Sequence, residues 1–107
     1  MCGRDAGDLI RFQIERPELM VRVEAVRAGQ KVDADIADAG PPLLAYFTWG
    51  GFLSTHYGVI YDETDNIAKE PAERDAAWNE RFAHTEIVCP ADIRPAGGHF
   101  YIAHISC

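Results

Sequence analysis

The chain has 107 residues, 48% of them apolar and 25% charged, with 17 acidic against 10 basic side chains and a formal net charge of -7. That length suffices for one core and one domain spanning 1–107, and the composition is that of a globular protein rather than a disordered tail. Phosphates reward clustered Lys and Arg, so this charge opposes generic binding to nucleic acid or to an anionic membrane, and no apolar run approaches the roughly 20 residues of a bilayer-spanning helix.

Cys2, Cys89 and Cys107 leave at least one cysteine unpaired. No positively charged leader with an apolar core precedes the globular sequence, so a reducing cytoplasm is the expected setting. The opening Met-Cys-Gly-Arg would expose Cys2 as a terminal thiol beside its own amine if the initiator were removed, a pairing that serves as nucleophile and base. These four residues are similar to the start of the SRAP family of abasic-site-crosslinking proteins, and Met-Cys-Gly also resembles the start of class II glutamine amidotransferases. The resemblance covers those positions alone and implies a Cys2 nucleophile; the later motifs of both families, which are longer, are not found.

Asp8 to Glu15 alternates Ile10, Phe12 and Ile14 against Arg11, Gln13 and Glu15, which predicts a strand with one wet face ended by Pro17. Leu19 to Arg27 fits two patterns. Leu19, Val21, Val23 and Ala25 give the period of a strand, favoured by the β-branched valines, while Leu19, Val23 and Val26 fit one face of a helix capped by Gly29. Lys31 to Asp38 is an edge strand or a single helical turn, closed by Gly40-Pro41-Pro42, and its aspartates suit a solvated edge that resists strand pairing.

Leu43 to Trp49 is apolar on both faces and predicts a central strand covered on two sides. Gly50-Gly51 follows as a hairpin, then His56 to Asp62 as a second strand with Tyr57, Val59 and Tyr61 on one face. Glu63 to Asn66 is a turn, with Ile67 to Lys69 returning beside the strand. Pro71 to Phe82 predicts the one helix, docked by Trp78 and Phe82 with the stem of Arg74. Thr85 to Cys89 reads as a short strand, Arg94 to Gly98 as a loop, and His99 to Ser106 as a last strand buried on both faces.

Two metal sets fail on geometry. Asp62, Thr64, Asn66, Glu70 and Glu73 match the ligand places of a calcium loop, but Ile67 stands where glycine makes the sharp turn and Pro71 interrupts it. Cys89, His99, His104 and Cys107 are zinc-ligand types, yet on a strand His99 and His104 point to opposite faces and His99 lies ~26 Å from Cys107. No cofactor is expected. His56 and His104, on strands in aromatic company, are the histidines best placed to act as general bases.

Trp49, Phe52, His56 and Tyr57 around Gly50-Gly51 form the candidate binding surface, since amphipathic rings beside a glycine-rich loop suit a partner or small ligand. The expected fold class is α+β: a mostly antiparallel, curved sheet of about five to seven strands, a partly open barrel, with one short helix packed on it. A closed β barrel with the helix as plug is the alternative. Because catalytic signatures are missing, the expected function is a small soluble, non-catalytic binding or accessory protein acting through protein contact or self-association. A homodimer is expected to hide a second apolar sheet face or an edge. The alternatives are a small enzyme or ligand pocket using His56, His104 or the Cys2 thiol, and an acidic nucleic-acid mimic built on Asp33, Asp35, Asp38, Asp62, Glu63 and Asp65.

Overall fold

A strand with two apolar faces needs a cover on each, and the chain supplies both. The computed structural model describes residues 2–52 and 54–107, the side chains of 2–6 and 52 excepted. Among them, in chain order, are α1 (Cys2–Arg27), β1 (Ile36–Asp38), β2 (Leu44–Phe52), β3 (Thr55–Asp62), α2 (Ala76–Phe82), β4 (Ala91–Gly97) and β5 (Phe100–Ser106). The five strands form one antiparallel sheet in the order β1-β2-β3-β5-β4, so β1 and β4 are free edges and the sheet is open rather than a closed barrel. The α+β class and the three inner strands agree with the sequence.

Alternation then sorts the core into two layers. Ala45 and Phe47 of β2, with Leu43 just before it, join Val59, Tyr61, Phe100 and Ile102 to face α1, which contributes Phe12, Leu19, Val23 and Val26. Leu44, Tyr46, Ile60, Tyr101, Ala103 and Ile105 face the other way, onto Trp78 and Phe82 of α2 with Ile67 and Ile87 from single 3-10 turns. Gly58 lets β2 approach β3 closely where they pair: a Cβ there would lie 2.3 Å from the Phe47 carbonyl oxygen, backbone that cannot yield.

The long helix corrects the two strands expected across Asp8 to Arg27. Ile10, Phe12 and Ile14 do not share a face: Phe12 is fully buried, while Ile10 and Ile14 are 61% and 75% exposed. Arg11 with Glu15 and Glu18 with Arg22 are ion-paired one turn apart, a spacing that only a helix brings together. Pro17 lies inside the helix and does not end it; Phe12 and Leu19, buried on either side of it, anchor both halves. The end is a Schellman motif, with Gln30 N–H bonded to Ala25 O, Gly29 N–H to Val26 O, and Gly29 at φ 76°.

Other boundaries move as well. Gly50 and Gly51 lie within β2, and the chain reverses between Phe52 and Thr55. Ile67 to Lys69 does not return as a strand, because Asn66–Ala68 is a 3-10 turn whose Ile67 N–H donates to Asp62 Oδ2 at 3.0 Å. Pro71–Glu73 is another 3-10 turn, so α2 is shorter than expected and begins after Asp75. Glu86–Val88 is a third, in place of the Thr85 to Cys89 strand. Arg94 to Gly97, expected as loop, belongs to edge strand β4, where Pro95 is tolerated. Cys89 and Cys107 form a disulfide, their Cα atoms 5.3 Å apart.

The turn after β3 is held by bonds to buried side chains. Asp62 is 1% exposed and accepts from the Thr64 N–H and hydroxyl as well as from Ile67. Asn66, equally buried, accepts from the Asp75 N–H and donates to Thr64 Oγ1 and Asp75 Oδ2. Arg74 donates to the carbonyls of Asn66 and Ile67, and its guanidinium lies 5.2 Å from the Trp78 ring centroid. These bonds bind the segment that delivers α2 to the sheet.

Candidate functional site

Two features of α1 stand out: a polar and aromatic seam on its inner side and an apolar stripe on its outer side. The seam starts from a bulge, since Thr48 pairs with Gly58 and Gly50 with Tyr57, leaving Trp49 as the extra residue of β2. Trp49 is thereby brought to α1, where its Nε1–H donates to Glu15 Oε1 at 2.9 Å and the Arg11 guanidinium stacks 4.4 Å from the ring centroid. Arg11 Nε also donates to Glu15 Oε2 at 3.0 Å. Burial opposes ionisation of Glu15, but the hydrogen bonds from Arg11 and Trp49 outweigh it and hold the carboxyl below its ordinary value.

Next along the seam, the Trp49 and Tyr57 rings meet edge-on at 6.5 Å, and Tyr57 stacks on His104 at 5.9 Å. His104 is 13% exposed, its Nε2 3.2 Å from Asp8 Oδ2 but out of hydrogen-bond alignment. A small cleft lined by Asp8, Leu9, Arg94, Pro95 and Ile102 adjoins this pair.

Of the four residues expected to form a binding surface, the structure brings Trp49 and Tyr57 together and separates them from His56. His56 pairs with Gly51 and Ile105 and so faces the α2 layer. The side chain of Phe52 lies outside the described residues, as does that of Cys2 at the start of α1. Sequence reasoning missed Asp8, Arg11 and Glu15; the one-turn spacing of Arg11 and Glu15 was the signal available.

The other groups weighed for chemistry have local partners. Cys89 and Cys107 are bonded to each other. His99 Nδ1 lies 2.9 Å from Asp65 Oδ1, which also accepts from Tyr101 OH at 2.6 Å. Burial again opposes ionisation of Asp65, but the bonds from His99 and Tyr101 hold its carboxyl below the ordinary aspartate pKa; burial and the same carboxylate push the Tyr101 phenol up. Asp38 forms a bidentate pair with Arg81, the chief cause of its lowered value. Among the described residues, no group of three or more His, Cys, Asp or Glu is arranged to hold a metal ion.

The outer side of α1 carries no such network. Five of the six exposed large apolar side chains among the described residues are on it: Leu9, Ile10, Ile14, Met20 and Val21. Leu9, Ile10, Gln13 and Ile14 line a shallow groove. Among the described residues no helix is long and apolar enough to cross a membrane. No protein-family model matches the chain, and no curated protein or solved structure is significantly similar to it.

The Glu15 contacts make the docking of α1 sensitive to acid. A lowered carboxyl value contributes stability that is complete above the ordinary Glu range and lost as pH falls through the value in the folded state. Glu15→Gln is expected to cost roughly 1 kcal/mol at neutral pH, after discounting for partial exposure. Denaturant melts of both proteins from pH 7 to pH 3 check it: the difference between them should shrink toward zero at the acid end.

Proposed function

We propose that this is a small, non-catalytic binding or accessory protein acting through protein contact, self-association included, and that the outer face of α1 is its contact surface. The concentration of exposed apolar side chains on one helix carries this reading. Isolated apolar residues are ordinary on protein surfaces, whereas a contiguous stripe marks an interaction site. A homodimer remains part of the proposal, on a different surface from the one expected: both faces of the sheet already have covers within the chain.

The seam supports a second reading, a ligand pocket using His104 with Asp8, because a carboxylate and an imidazole adjoin a cleft there. Its cleft is small and the histidine is mostly covered, so it ranks behind the contact surface. An acidic nucleic-acid mimic has less support. Asp38, Asp62 and Asp65 are engaged by Arg81, by Thr64 and Ile67, and by His99 and Tyr101 rather than displayed together.

A surface used for contact should be dispensable for the fold. Ile14→Lys and Val21→Lys are each expected to change unfolding free energy by no more than about 0.5 kcal/mol while lowering the binding of an apolar dye. Losses above roughly 2 kcal/mol would make these residues part of the core and remove the proposal.

A cytoplasmic setting also belongs to this reading, and there the Cys89–Cys107 bridge is expected to open to two thiols. Alkylation of protein quenched directly from cells should then label all three cysteines. Labelling of Cys2 alone would place the protein in an oxidising compartment.

A further inference from the structure

Resting on the contact-surface reading, we infer that the occupant of the outer face of α1 is a second copy of this chain, with the two helices antiparallel across a two-fold axis. Charge distribution picks out this partner. Of the ionisable side chains in the sequence, Cys2–Arg27 carries five basic and five acidic residues, and the remainder five basic and twelve acidic. The entire excess of -7 therefore lies outside the helix. Two copies repel one another across every strongly acidic face and meet least opposition helix to helix, whereas a basic partner would be drawn to the acidic surfaces instead.

Spacing sets the arrangement. Ile10, Ile14, Pro17 and Val21 recur at intervals of four, three and four, so at about 100° per residue they fall within one narrow arc opposite Phe12, Leu19, Val23 and Val26. With the axis between Ile14 and Pro17, Ile14 of one copy meets Pro17 of the other, and Ile10 meets Val21. Arg11 and Glu18 lie on the same flank of the stripe. The antiparallel arrangement brings Arg11 beside Glu18 of the other copy, twice by symmetry, and a parallel one makes neither pair. Glu18 is 66% exposed and Arg11 44%, so both can share their charges beyond their bonds to Arg22 and Glu15. One helix face falls short of the roughly 800 Å² per partner of a standard interface, which places the dimer in the weak class, with a dissociation constant of about 1–100 μM.

Sedimentation equilibrium from low micromolar to millimolar protein tests this on the full chain. The wild type should pass from monomer to dimer, with Ile14→Lys raising the dissociation constant at least about tenfold through a charge in the apolar contact. Glu18→Lys, which leaves the Arg11 stack on Trp49 intact, should raise it about fivefold, and adding Arg11→Glu to it should bring most of the affinity back. If the double variant does not fold, Glu18→Lys alone decides the orientation. A wild type that stays monomeric overturns the second copy but leaves the contact surface open to another protein. A dimer indifferent to Ile14→Lys overturns the surface itself, and one weakened by Ile14→Lys but indifferent to Glu18→Lys overturns the antiparallel arrangement.

Discussion

The rest of the structure depends on the need to cover both faces of the three inner strands. β2, β3 and β5 bury residues of both parities, so neither face can meet water, and a chain of this length has only its flanking segments to lay over them. α1 covers one face along its length, tied near its middle by Glu15 bonded to Trp49 at 2.9 Å and at its end by Arg27 bonded to Glu63 at 2.8 Å. The other face receives only the seven-residue α2 and single turns. That thinner cover explains why so many polar bonds gather around it: Asp62, Asn66, Arg74 and the Asp38–Arg81 pair fix segments too short to hold their place by apolar burial alone.

This division of labour also leaves α1 unusual. Its inner stripe completes the core while its outer stripe is apolar and, among the described residues, exposed. Its ion pairs balance its charge in an otherwise acidic protein. Together these two properties make a surface where neither charge nor hydration strongly opposes contact. The seam beneath contributes to this surface indirectly, by fixing the helix through Trp49, Glu15 and Arg11.

The strands that the sequence reveals are those whose side chains meet core on both faces, because alternation there reports burial directly: Leu43 to Trp49, His56 to Asp62 and His99 to Ser106. α1 was illegible for the converse reason. Ile10, Phe12 and Ile14 alternate like a strand only because two of them are exposed, and an exposed isoleucine carries no sign of its exposure in the sequence. Pro17 strengthened the misreading, since its cost within a helix is overridden by tertiary anchors invisible to local rules. The candidate site was half legible. Trp49 and Tyr57 belong to it as neighbours, but His56, one residue from Tyr57 on β3, points to the opposite face, and Asp8, Arg11 and Glu15 fall in a segment whose alternation imitates a strand. Asp65 with His99 and Tyr101 is a contact of distant segments that no spacing announces.

The central claim is that α1 is an integral wall of the core rather than an appendage laid on a finished sheet. Native-state hydrogen exchange resolved by residue tests it most directly. If the account holds, the slowest amides of Leu19 to Val26 exchange with the same free energy as those of Val59 and Ile60 in β3, because losing α1 exposes one whole face of the sheet and unfolds it. Exchange of the α1 amides through an opening several kcal/mol easier, with β3 still protected, would contradict it.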